Sequence, residues 1–357
     1  MTEVRNIVDG LPRLERVTEV WEMSERRLAD GDAEFLADLG IALTQRYGQD
    51  RKTVWQYRAV FDHLVRLLTT TPGPANVEQV LRLVDGVRAP YLASLLAAGQ
   101  SPRDLAAALA NGGPGEELRV CLVHELVLRG VPESEFAAWA VPSDHPLGWL
   151  PLSLTALEGR PSLPNYNVHG SSATLPYGPF DGPTTRPDIR PWPSATETTT
   201  GATASAMATA VAGWADESNG RIEARVFEAS SAIDDVASTL PGLGLASLGE
   251  DDHFTFAPCT PGEAWRVLFA AASTGGAYNA GAHGAYGRLA AWRSVAALAG
   301  APVDASVAEV DQVAHAAAWY QFGARNDWFE QVAWDVGLVA VTADRRRIAV
   351  LAATDTD

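Results

Sequence analysis

Cysteine is nearly missing from this 357-residue chain, which holds only Cys121 and Cys259. Two thiols so far apart build neither a disulfide framework nor a Cys-rich zinc site, and a reduced cytoplasmic home fits them. Lysine is scarcer still. Lys52 stands alone beside 26 arginines, which excludes a phosphate-cradling Gly-x-x-x-x-Gly-Lys-Ser/Thr loop. No Gly-x-Ser-x-Gly elbow occurs, and His124-Glu125 lacks the second histidine of a metalloprotease helix. With no such motif, no cofactor and no structural metal are expected.

Long apolar runs are also wanting. The least polar stretch, Val267 to Ala301, is broken by Asn279, His283, Arg288 and Arg293, so no bilayer span is expected. The N-terminus mixes charges where a secretory signal would carry an apolar run and a small-residue cleavage site. Positive charge is short: 27 basic residues face 44 acidic ones for a net charge of −17, and nine face nineteen from Gly201 onward. Nucleic-acid binding draws on Lys and Arg at phosphates, and the one tight cluster, Arg345-Arg346-Arg347, reads as a hairpin tip. The expected partner is therefore a protein or a small molecule, with no nucleic acid and no membrane.

What is present is globular: 47% hydrophobic and 20% charged residues. Residues 1–140 read as a helical domain. In Arg51 to Leu68, Val54, Tyr57, Phe61, Leu64, Val65 and Leu68 recur at helical spacing. Ser101-Pro102 marks a helix start, and Gly31, Gly48, Gly86, Gly99 and Gly130 fall where helices should end. Gly99 to Ala107 is faintly echoed by Gly130 to Ala138, which allows either a repeat-like stack of helices or chance.

Residues 141–200 hold eleven of the 22 prolines, which bars a long helix or a central strand. They also hold Trp149, Tyr166, Tyr177, Phe180 and Trp192, so the segment is read as an ordered, extended wrap. Ser194 to Ala206, rich in Ser, Thr and Ala, is the stretch expected to be mobile.

Residues 201–357 alternate helices and short strands. Arg221 to Ala229 and His253 to Phe256 read as strands around a helix near Ala232 to Leu240. Thr260-Pro-Gly-Glu263 and Ser306-Val-Ala-Glu309 are capping boxes, the second opening a helix toward Trp319. Trp334 to Thr342 and Arg347 to Thr354 form a hairpin, apolar on both faces and so expected at the centre of the sheet. The fold expected is α+β and mainly helical, with a small sheet covered by helices.

Glu250-Asp251-Asp252-His253 bunches ligands that magnesium would accept, although a solvated acidic loop explains it as well. Gly242 to Gly249 has the wrong spacing for a dinucleotide fingerprint and reads as a turn. Cys259 precedes a helix N-terminus, where a thiol pKa can fall, though a buried inert thiol is the better reading.

The unusual segment is Ser273 to Ser294. Close packing accounts for its glycines, if Gly281, Gly284, Gly287 and Ala291 let another backbone approach. The competing reading is a loop that offers free backbone N–H groups to an anion. Tyr278, Asn279, His283, Tyr286, Arg288 and Arg293 would then supply specificity. Asp335 stands in an apolar strand and needs a partner; Arg288 or Arg293 is the expected one.

That segment, with Trp328 to Asp335 and Ala349 to Asp357, resembles an uncharacterised family of actinobacterial proteins. The resemblance is strongest over the final ninety residues or so and implies an intracellular origin in a high-GC bacterium. It carries no activity with it. Two functions are open: a binding or regulatory protein, or an enzyme or small-molecule binder whose site lies between the Pro-rich and Gly-rich segments.

Overall fold

Apolar side chains spaced three and four apart build the first half of the molecule. A computed structural model describes all residues except 1, 49–53, 85–86, 110–114, 137, 140–141, 143, 174–183, 186–193, 250–252, 330–333 and 357. The chain divides into two compact units. One comprises Met1–Pro142 with Pro164–Ala173, the other Ser143–Leu163 with Thr174–Asp357. The class is α+β, mainly helical.

The first unit carries helices α1 (Thr2–Gly10), α2 (Thr18–Ala29), α3 (Ala33–Tyr47), α4 (Trp55–Thr70), α5 (Pro74–Leu81), α6 (Ala89–Gly99), α7 (Pro102–Leu109) and α8 (Glu116–Leu128). The face of α4 that its spacing marks is the one buried, through Tyr57, Phe61, Leu64, Val65 and Leu68. Helices α4 and α6 meet closely at one point. A Cβ on Gly99 would fall 2.2 Å from the Thr69 carbonyl oxygen, so no larger residue fits. Gln100 then donates to the carbonyls of Thr69 (2.7 Å) and Thr71 (2.8 Å) and accepts from the Gly73 N–H (3.0 Å). Those bonds close the end of α4, where carbonyls lack helical partners. The echo at Gly130 to Ala138 does not repeat this structure: it holds a 3-10 turn at Glu133–Glu135 where its counterpart forms α7.

A short hairpin, β1 (Asn165–Asn167) and β2 (Gly170–Ser172), completes this unit. Three-residue strands do not hold themselves together in water, and here α4 and α6 hold them. Arg66 Nε donates to the Val168 carbonyl (3.0 Å), and the Tyr166 hydroxyl meets Ser94 Oγ at 2.9 Å. Burial pushes the Tyr166 phenol up to about 12.

The second unit is built on an antiparallel sheet. Its strands are β3 (Thr184–Thr185), β4 (Ala195–Glu197), β5 (Arg221–Ala229), β6 (Phe254–Cys259), β7 (Ala318–Ala324), β8 (Trp334–Val341) and β9 (Arg347–Asp355). They lie in the order β3-β6-β7-β8-β9-β5-β4, with the two-residue β3 at one edge. The hairpin β8–β9 is central, as its two apolar faces require. Ile348, Val350 and Val339 point into one core with Phe227, Leu240, Phe254 and Phe322. The opposite face meets α13 (His283–Ala299).

The remaining helices are α9 (Gly201–Ala208), α10 (Ala212–Glu217), α11 (Val236–Thr239), α12 (Pro261–Thr274) and α14 (Val307–Ala316). Both expected capping boxes form, at Thr260 with Glu263 and at Ser306 with Glu309. Three expectations need correction. Ser194 to Ala206 is strand β4 followed by α9, because Ala195 to Glu197 pair with β5 and Thr200 forms a third capping box with Thr203. The helix near Ala232 to Leu240 contracts to the four residues of α11, since Pro241 leads into a 3-10 turn. The helix opened at Ser306 stops at Ala316, and Trp319 belongs to β7, paired with β6 and β8. Of the wrap's aromatics, Tyr177, Phe180 and Trp192 lie outside the described residues, whereas Trp149 donates to the Ala305 carbonyl within the second unit.

Candidate binding site

Close packing, one of the two readings of the Gly-rich segment, is what its glycines meet. Helices α12 and α13 lie tightly together: a Cβ on Gly287 would sit 2.8 Å from Ser273 Cβ and 2.9 Å from its Cα. The loop between them uses its own N–H groups. Asn279 Oδ1 accepts from Gly276 (3.1 Å) and Gly281 (3.2 Å), while its Nδ2 donates to the Gly213 carbonyl at 2.7 Å. Asp355, at the end of β9, accepts from Ala277 N–H (2.7 Å) and Ser218 Oγ (2.8 Å). Ala282 N–H bonds the Ala272 carbonyl. These donors are therefore already engaged within the protein rather than presented to an anion.

Arg288 is the most buried of the predicted ligand residues, and its partner is one that sequence reasoning missed. Its Nε donates to Glu158 Oε1 at 2.5 Å and its Nη2 to Oε2 at 3.0 Å, with both side chains wholly buried. Two carbonyls, of Pro151 and Ser153, accept from the same guanidinium. Glu158 also takes the Trp292 indole N–H (2.9 Å) and the Thr155 N–H (2.7 Å). A buried ion pair is tolerable only when its remaining donors and acceptors are met in this way. The pair fastens residues 151–158 to α13. Only the rarity of Glu in the Pro-rich segment could have signalled it.

The other predicted residues differ in exposure. Tyr278 is 61% exposed and Arg293 is exposed, Tyr286 is half-buried, and His283 is buried at the start of α13 with a left-handed φ of 59°. The hydrogen bonds of Arg288 and Asp335 include partners that the sequence did not suggest. Arg288 is held by Glu158, and Asp335 accepts from Thr354 Oγ1 at 2.6 Å, its register partner across β8 and β9.

The reactive groups are muted as well. Burial, then the Glu263 carboxylate, pushes the Cys259 thiol up to about 12, and burial with Glu117 raises Cys121 further. A helix N-terminus does not make Cys259 a nucleophile here. His63 stacks on Trp21 with ring centres 4.9 Å apart. Burial, Arg66 and His169 hold it down at about 4, so its 3.4 Å approach to Glu25 is no ion pair at neutral pH. No metal-holding group of three or more His, Cys, Asp or Glu occurs among the described residues. Glu250, Asp251 and Asp252 fall outside them.

The helical unit offers an open concavity instead. A groove of about 570 Å³ lies between α1 and α3, floored by Val4, Val8, Ile41 and Ala42. Asp38, Ile41, Ala42, Gln45 and Arg46 lie along one stripe of α3, at the spacing that puts residues on a single helix face. Arg5, Arg46 and Arg82 rim it. Arg82 is held by Asp38 and Gln79, both at 2.6 Å. Arg5 and Arg46 make no ion pair among the described residues; Arg46 only lies over the Tyr47 ring, 5.5 Å from its centre. Little in the sequence warned of this, since the three arginines come from three separate elements.

A family of unknown function (DUF6183) matches residues 18–357. The chain belongs to that family. The match takes in α3 and Arg82, while α1, the other wall of the groove, lies before its first residue. Neither a curated protein nor a solved structure matches the chain. Among the described residues, no helix is long and apolar enough to cross a membrane.

Proposed function

We propose that this DUF6183 protein is a non-catalytic binding or regulatory protein, and that it meets its partner at the groove of the helical unit. The observation carrying this reading is the pair Arg5 and Arg46, two guanidiniums without ion pairs among the described residues, on an apolar groove in a chain of net charge −17. Positive charge is scarce here, so two uncompensated arginines on one concave surface favour recognition over chance. The state of the candidate chemical groups supports the non-catalytic part. Both thiols are raised, the buried arginine is consumed by a carboxylate, and the N–H groups of Gly276, Ala277, Gly281 and Ala282 are bonded. A cytoplasmic, actinobacterial setting belongs to the same reading, supported by the two free thiols and by Ala, Gly and Arg usage.

Native mass spectrometry of gently purified protein tests it. Wild type should retain an extra non-covalent mass that the Arg5→Glu/Arg46→Glu variant loses. Identical spectra for the two proteins would refute the reading.

A further inference from the structure

Resting on the groove as a binding site, we infer the class of ligand: a small anionic amphiphile, with a carboxylate or phosphate head at Arg46 and an apolar body along α3.

Size argues for a small molecule. A volume of about 570 Å³ falls in the range of small-ligand pockets, roughly 300–1,000 Å³. The α3 wall, from Asp38 to Arg46, runs for about 12 Å at 1.5 Å per residue. A stable protein partner needs around 800 Å² on each side, which one short groove does not supply.

Chemistry divides along the wall. The floor is Val4, Val8, Ile41 and Ala42, which offer contact and no hydrogen bond through their side chains. At one end Asp38 already neutralises Arg82, and a second anion there would meet a carboxylate. At the other end Arg46 meets no carboxylate among the described residues, and Arg5 lines the same groove from α1. Guanidinium forks match carboxylate and phosphate in a bidentate way. The head therefore belongs at Arg46, the end away from Asp38, and the body on the floor. The acidity of the whole chain does not forbid this. At physiological salt the Debye length is about 8 Å, so the near arginines outweigh distant carboxylates.

A plainer role for the arginines is to lay their aliphatic stems over the apolar floor. That role makes no demand on the charge of a ligand, and the test separates the two. Isothermal titration of the full chain would use four probes: decanoate, decyl phosphate, decanol and inorganic phosphate. Decanoate or decyl phosphate should bind with one-to-one stoichiometry, and whichever binds tighter identifies the head. Decanol lacks the charge and inorganic phosphate lacks the body, so each should bind about tenfold more weakly or not at all. Arg5→Gln/Arg46→Gln should weaken the anionic amphiphile by about tenfold and leave decanol unchanged. Ile41→Asn, with both arginines intact, should weaken it as well, and serves if the double variant folds poorly.

Decanol binding as tightly as decanoate, or failure of both anionic amphiphiles to bind, would overturn the inference. If the probes fail while a purified non-covalent mass still depends on Arg5 and Arg46, the ligand class is wrong and the groove stands.

Discussion

Two arginine settings in this molecule stand opposite one another. Arg288 lies in the sheet unit without solvent exposure, and four acceptor atoms, two of them on one carboxylate, surround its guanidinium. Arg5 and Arg46 lie in the helical unit, exposed, at the rim of a groove and without an ion pair among the described residues. The first arrangement is costly to disturb and chemically closed. The second is cheap to disturb and open. A polar residue in an unusual sequence context thus marks a structural fastening in one unit, while an ordinary helical surface in the other carries the binding potential.

That contrast orders the expected effects. Glu158→Ala leaves Arg288 buried and uncompensated, and should cost about 3–5 kcal/mol of stability. Urea unfolding would show it, and a loss below about 1 kcal/mol would mean that the pair holds nothing in place. Gly287→Ala should cost about 1–3 kcal/mol, because its methyl would meet the backbone of α12 at Ser273. Asn279→Ala strips an acceptor from two loop N–H groups and a donor from the Gly213 carbonyl. A cost of about 1–2 kcal/mol is expected, with faster amide hydrogen exchange at Gly276 and Gly281.

A smaller effect depends on pH. Bonds from the Thr260 N–H and hydroxyl hold the Glu263 carboxyl below its usual 4.5. Its contribution is therefore present in full above that value and disappears as pH falls through the lowered one. Thermal melts of wild type and Glu263→Ala should differ at pH 6 and converge as the pH is lowered through that depressed value. A gap that widened in acid would contradict the capping geometry. Smallest of all, Arg5→Gln/Arg46→Gln should change stability by no more than about 0.5 kcal/mol, as for surface residues with no structural task. A large loss there would turn the rim arginines into fastenings and erase the contrast.

The sequence foretold local structure far better than long-range partners. Capping boxes at Thr260 and Ser306, the strand Arg221–Ala229 and the central hairpin were legible because each signal lies within a few consecutive residues. The partner of Arg288 was not, since Glu158 is 130 positions away and the intervening chain gives no register. Strand β7 was hidden by the helix before it, whose apolar residues run on into Trp319 and Tyr320 without a break. The helix α9 reads in sequence as a mobile tract because Thr, Ser and Ala look featureless until Thr200 and Thr203 cap one another. The groove was illegible for a further reason. Its concavity comes from α1 crossing α3, and no pattern within either helix encodes it.

The hairpin β1–β2 has a consequence for how the protein is made. It belongs to the helical unit, yet residues 143–163, which precede it, belong to the other. A nascent chain that has released Pro142 from the ribosome still lacks the strand that brings Tyr166 to Ser94 and Val168 to Arg66. The first unit must wait, incomplete, until residue 173 emerges. Fragments cut at residue 142 would share that defect permanently, with the surface around Ser94 and Arg66 left uncovered.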